Sequence, residues 1–297
     1  MRIGYPCINR SIGCSANRTF RLASYSKERL IETVAGNLSC LQKILAWNAD
    51  HDIRFFRITS DLVPFASHPV CTFPWQEHFR DELEATGDFI RRSGIRISMH
   101  PDQFIILNAP DKTVVARSIA ELAYHASVLD TMGLDATAKI QLHVGGVYGD
   151  AKKSIDRFIR VYGTLEPAIR KRLVVENDDQ RFAAADCLDI HKPTGIPVLF
   201  DVFHHACKNT GEEMAEVLSR TGKTWNRDDG VPMVDYSSQH LKKRAGSHAD
   251  HIDTEDFENF LRLSKPCDRD IMLEIKDKEA SALVAVGLAR EDPRFLS

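Results

Sequence analysis

Residues 171–180 read KRLVVENDDQ, an apolar β-branched run, Leu173-Val174-Val175, that stops on Glu176 and passes into a polar stretch. A run this short, rich in valine and bounded by polar residues, is the signature of a buried strand. Working outward, the same design recurs on both sides. Upstream lie RIGY from Arg2, IRFFRIT from Ile53, IRISMH from Ile95 and KIQLHV from Lys139; downstream lie PVLFDV from Pro197, PMVDYS from Pro232 and DIMLEIK from Asp270. Amphipathic segments rich in Glu, Lys, Arg, Ala and Leu separate them, among them Lys27–Trp47, Trp75–Arg92, Asp111–Met132, Ala151–Arg170 and Gly211–Arg220, with a last helix starting near Asp277. Eight strands alternating with helices predict a parallel sheet with helical crossovers, and the count fits a closed (β/α)8 TIM barrel, α/β in class, as one domain over residues 1–297. A doubly wound open sheet is the rival. It calls for a glycine-rich phosphate turn after the first strand, and GYPCINRSIG lacks the GxGxxG spacing.

Bulk composition sets wider bounds. The chain is 43% hydrophobic and 27% charged with a net charge of −3, so a protein that merely coats DNA phosphates is disfavoured. An enzyme whose basic groups gather around one cleft remains compatible. There is no apolar leader in MRIGYPCINR and no window long enough for a membrane span. The seven cysteines (7, 14, 40, 71, 187, 207 and 267) are odd in number and form no CxxC pair, which predicts reduced thiols in a cytoplasmic protein.

The chemistry sits at the strand ends. His100 closes the third run, His143 the fourth and Glu176 the fifth; Asp201 ends the sixth with His204 and His205 beyond it; Asp235 lies in the seventh, with His248 and His251 in the loop after it; Glu274 lies in the eighth. In a parallel barrel these ends meet at one rim, where barrel enzymes place their active sites. A single histidine or acid at a strand end is ordinarily a packing residue or a helix cap. Six consecutive strands showing the feature at one end are not explained that way. Imidazole and carboxylate ligands without thiolate suit Mn, Zn or Fe, and so many of them suit two or three divalent ions sharing a carboxylate, an arrangement typical of phosphoester hydrolysis. His51, His78, His125 and His191 lie on or beside helices and read as structural; His205 and His251 stay open.

GYPCIN from Gly4, HPDQF from His100, HVGG from His143, VVEND around Glu176, FDVFHH around Asp201, YSSQ from Tyr236 with AGSHADHI after it, and MLEIKDKE around Glu274 together resemble the ultraviolet-damage endonuclease family, in the expected order from residue 4 to about residue 279. The resemblance implies a metal-dependent barrel that nicks damaged double-stranded DNA immediately 5′ of cyclobutane dimers and 6-4 photoproducts, and by extension abasic sites, leaving a 3′-hydroxyl. It implies two or three divalent ions, Mn first and Zn second, on His100, His143, Glu176, Asp201, His204, Asp235, His248 and Glu274. Glu176 would bridge, and Glu176, His68 and Glu274 would act in catalysis. Gln103 and Phe104 would wedge into the duplex, with Tyr5 and Asn9 probing the lesion from the other side. Arg10, Arg18, Arg21, Lys242, Lys243 and Arg244 are expected to meet the DNA backbone, and related enzymes suggest a monomer. No membrane partner is expected.

Three positions depart from the family pattern. Met233 stands where some members carry a modified lysine near the metals, Asp235 where those members have a metal-binding histidine, and Phe104 where the wedge is commonly tyrosine. Two other readings compete: a metal-dependent sugar isomerase on the same kind of barrel, and a lesion-binding protein that has lost cleavage.

Overall fold

The computed structural model describes residues 1–240 and 242–296. Eight parallel strands, β1 (Ile3–Pro6), β2 (Phe55–Ile58), β3 (Arg96–Met99), β4 (Lys139–His143), β5 (Leu173–Glu176), β6 (Val198–Asp201), β7 (Met233–Tyr236) and β8 (Asp270–Leu273), hydrogen-bond in chain order. The ring closes where Ile3 and Gly4 pair with Ile271 and Met272. The chain is therefore a TIM barrel, as expected. Closure leaves no room at Gly4, where a β-carbon would come within 1.8 Å of the Phe55 carbonyl oxygen.

Side chains alternate along each strand between the helix layer and the barrel interior. The interior is stacked in three layers. Arg96, Lys139 and Asp270 form the lower one. Phe55, Val174, Leu199, Met233 and Met272 pack into a small apolar cluster above it, with Trp225 against its edge. Two residues further along the same strands stand Arg57, Glu176, Asp201, Asp235 and Glu274, joined by Gln141 of β4. The opposite faces of the strands, among them Tyr5, Phe56, Met99, Leu142, Val175 and Phe200, join the main core beneath the helices. Burial on both faces is why the strands read as nearly continuous apolar runs.

The helices are α1 (Lys27–Asp50), α2 (Trp75–His78), α3 (Arg80–Arg92), α4 (Lys112–Thr131), α5 (Ala151–Thr164), α6 (Pro167–Arg170), α7 (Ala184–Thr194), α8 (Val202–Cys207), α9 (Met214–Gly222), α10 (Thr254–Leu263) and α11 (Glu279–Ala289). Two expected helices are broken. Trp75–Arg92 divides at Phe79, whose ring turns into the core. Ala151–Arg170 stops at Thr164 and restarts at Pro167, which suits the first turn of a helix but not its interior. Among the described residues no helix is long and apolar enough to cross a membrane.

The expectation of uniformly reduced thiols is corrected at one pair. The segment after β1 folds back on α1 and brings Cys14 to Cys40 in a disulfide spanning 26 residues of sequence. Spacing alone could not show this, because the contact depends on the path of an irregular loop. Cys7, Cys71, Cys187, Cys207 and Cys267 remain free.

Candidate metal centre at the carboxyl rim

The strand-end residues converge. Among the described residues, three groups bring ligand atoms within 4.8 Å of one another: His100, His143 and Glu176; Glu176, Asp201 and His204; and Asp201, Asp235 and Glu274. Glu176 links the first two groups and Asp201 the last two. One Glu176 oxygen faces His100 Nε2 at 3.4 Å and His143 Nε2 at 3.9 Å, and the other faces His204 Nδ1 at 3.4 Å. Asp201 places His204 by capping α8: its Oδ1 accepts the His204 backbone N–H at 2.6 Å. The Asn177 side chain exchanges two hydrogen bonds with the Asp201 backbone, fixing the ends of β5 and β6 together. His248 borders the third group, with Nε2 3.9 Å from Glu274 Oε2 and its ring against Phe203.

The electrostatics are those of an acid-rich site held by protons. Burial pushes the carboxyls of Asp201 and Asp235 well above the usual range. Burial acts on Glu176 in the same sense, but His143, His100 and His204 outweigh it and hold its carboxyl well below that range. At His204 burial opposes the charge, yet Asp201 and Glu176 raise the imidazole to about 11. Burial lowers His143, and its Nδ1 is buried without a hydrogen-bond partner. Buried polar atoms are nearly always paired, and Asp235 Oδ1 in the third group is also buried without a partner, so the imidazole nitrogens and carboxylate oxygens of the three groups fit a group that coordinates nitrogen and oxygen. The donor set suits divalent metal.

Other expected residues lie elsewhere. His68 is exposed, accepts the Val70 N–H on Nδ1 at 3.1 Å and belongs to none of the three groups. His205 is buried against Phe200, and His251 pairs with Asp277; neither joins a ligand group. His51, His125 and His191 bond backbone carbonyls, and His78 packs on Phe73. Tyr5 and Asn9, expected to probe the lesion from the other side, lie beneath the surface. Tyr5 is 0% and Asn9 1% exposed; the Tyr5 hydroxyl donates to Asn48 Oδ1 on α1 and accepts from Asn9 Nδ2. Strand alternation turns Tyr5 toward the helix layer, and Asn9 follows it inward.

Gln103 and Phe104 stand on the rim. A turn stabilised by the Phe104 N–H on Asp102 Oδ1 presents Gln103 and Phe104, and the Phe104 ring is 72% exposed. Further along this loop, Asn108 exchanges two hydrogen bonds with the Gly146 backbone, tying the loop to the one that follows His143. Arg10, Arg18, Arg21, Lys242, Lys243 and Arg244 are exposed in rim loops after β1 and β7.

Sequence reasoning missed Arg57 and Gln141. Both occupy inward positions of buried strands, and Arg57 is 3% exposed. The available signal was an arginine in the middle of an apolar strand two residues after an inward phenylalanine. Met233 lies a layer below the ligands, packed with Phe55 and Met272. A cavity of about 1040 Å³ opens behind the centre, between α8, the loop after β7 and α10, but no residue of the three ligand groups lines it.

The profile of the UV-endonuclease UvdE family matches residues 1–292. A UV DNA damage endonuclease of Clostridium perfringens is 40% identical over 299 residues, covering 100% of this chain and 73% of the relative. One of Bacillus thuringiensis is 33% identical, covering 95% and 92%. The crystal structure of SacUVDE superposes with a TM-score of 0.94 at 46% identity over 98% of each chain. A D-psicose 3-epimerase crystallised with D-fructose reaches a TM-score of 0.54 at 14% identity, over 84% and 92% of the two chains, a likeness of fold alone. With its barrel, its rim of histidines and acids and a match over nearly its whole length, the chain belongs to the UV-endonuclease UvdE family.

Proposed function

We propose that this protein nicks damaged duplex DNA immediately 5′ of cyclobutane dimers and 6-4 photoproducts, and of abasic sites, leaving a 3′-hydroxyl, with Mn²⁺ favoured over Zn²⁺. The observation that carries this reading is the joining of three ligand groups through Glu176 and Asp201 beside an exposed aromatic. Divalent ions in such a centre supply water that is nucleophilic near neutral pH and positive charge for the reacting phosphate. The residues of the chain do the rest. Glu176 and Asp201 join neighbouring ligand groups. His100, His143 and His204 provide nitrogen ligands, and His248 borders Glu274.

Phe104 is placed to replace a base stack, a contact that contributes roughly 1–3 kcal/mol per base. Lesions already weaken stacking and pairing, so opening the duplex costs least there. The exposed arginines and lysines after β1 and β7 supply backbone contacts, and the working unit is a cytoplasmic monomer. Tyr5 and Asn9 support the rim from below, and His68 acts from outside the ligand groups. The ligand side chains of His100, His143, His248 and Glu274 remain 19–27% exposed, which suits a polymer laid across the rim better than a sugar in a closed pocket.

The test is a nicking assay on a duplex bearing one defined cyclobutane dimer, with Mn²⁺ or EDTA, and Glu176→Gln as control. A Mn²⁺-dependent cut directly 5′ of the dimer is expected, reduced about 1000-fold or more in the variant. Tight binding without a cut would establish the lesion-binding reading. Neither binding nor cutting would return the barrel to sugar chemistry.

A further inference from the structure

Arg57 enters the third ligand group from within the barrel. Its Nη2 donates to Asp235 Oδ2 and Gln141 Oε1, each at 2.7 Å, and its Nη1 donates to Glu274 Oε1. Gln141 extends the clamp: its Nε2 donates to the same Asp235 oxygen at 2.7 Å and to Glu176 Oε2 at 2.8 Å. The acids of the other two groups face imidazoles, which give up a proton when they ligate. Asp235 and Glu274 each commit one oxygen to a cation that does not lose its proton in proteins, and an imidazole, that of His248 at 3.9 Å, faces only the other Glu274 oxygen.

We propose that Arg57 is the resident cation of the Asp235–Glu274 pair, so that this centre takes two divalent ions, on the His100–His143–Glu176 and Glu176–Asp201–His204 groups, and no third ion on Asp201–Asp235–Glu274. This rests on the metal-dependent reading above. Charge decides between two ions and three. Four carboxylates and one guanidinium leave three negative charges when all are ionised. Two divalent ions exceed that by one positive charge, and one phosphodiester of the substrate brings the sum to zero. A third ion would leave two positive charges uncompensated in a buried layer, where unpaired charge is least tolerated. Asp235 Oδ1 is buried and has no partner. A single open oxygen beside an occupied one is satisfied by a water and does not itself require an ion. Arg57 thus acts as a positioning residue: it orients Asp235 and Glu274 and sets the number of ions around them.

The experiment counts Mn²⁺ bound per chain by equilibrium dialysis with metal analysis, without DNA. Wild type is expected to bind two, and Asp235→Asn also two. Arg57→Lys, which keeps the charge, stays at two, whereas Arg57→Met admits a third, weaker ion. Three ions in wild type falling to two in Asp235→Asn would overturn the proposal while leaving the nuclease reading intact, and so would Arg57→Met remaining at two. No Mn²⁺ bound to wild type would mean that the metal-dependent reading itself has failed. The wild-type count does not depend on any variant folding.

Discussion

The two ends of the barrel interior are built from the same strands and differ in how their charges balance. β3 carries Arg96 at one end and runs out to His100 at the other, β4 carries Lys139 and His143, and β8 carries Asp270 and leads to Glu274. At the lower end each charge meets an opposite one. Arg96 meets Asp270 Oδ2 at 2.8 Å, Arg2 reaches the same oxygen at 3.3 Å, and Lys139 meets Asp229 at 2.5 Å and the Lys171 carbonyl at 2.9 Å. At the upper end four carboxylates gather around one guanidinium, and His143 Nδ1 and Asp235 Oδ1 are left unpaired. Both ends are buried and polar, so burial of charge is not what marks a functional site. The mark is the ligand-type atoms left without a partner.

The contrast can be broken most forcefully from below. Asp270→Asn leaves Arg96 without its counter-charge, and the expected loss is about 3–5 kcal/mol of stability, measured by denaturant unfolding. The Mn²⁺ count should not change, and a change would mean that the two ends are not independent. Glu176→Gln should show the reverse: nicking abolished, with the metal-free protein destabilised less than by Asp270→Asn. Equal destabilisation would show that the upper layer is as structural as the lower.

Smaller effects belong to the rim. Replacing Gln103 and Phe104 together by Ala should slow nicking at a dimer about 10- to 100-fold, the equivalent of roughly 1–3 kcal/mol of stacking, with Mn²⁺ binding untouched. An unmutated rate would remove the wedge. Reversing the charges of Lys242, Lys243 and Arg244 should raise KM and flatten the salt dependence of binding by about 0.9 in slope for each phosphate no longer neutralised. A slope identical to wild type would return the loop to ordinary solvated surface.

The convergence of the strand-end histidines and acids was legible because they interrupt the apolar runs at the ends, where any reading of strand boundaries must notice them. Arg57 and Gln141 were not, although they lie in equally clear strands. A polar residue in mid-strand declares its role only when the ring closes and the inward side of every strand is known. The depth of Tyr5 and Asn9 was hidden for the same reason: their order along the chain is that of the family, but depth below the rim is not written in order. Cys14 and Cys40 required the course of a loop that has no periodicity to read. The broken helices at Phe79 and Pro167 are milder cases, one set by a core contact and one by a residue whose preference was visible.

The exchange of hydrogen bonds between Asn108 and Gly146 makes one body of two loops that sequence keeps far apart. Gly145 has a φ of +112°, and a β-carbon there would fall 2.4 Å from Asn108 Oδ1. An alanine at Gly145 therefore acts at a distance, prising the loop that bears Phe104 away from the loop that follows His143. The turn of Phe104 and the strand end of His143 thus share one fastening, and a change there is felt at both.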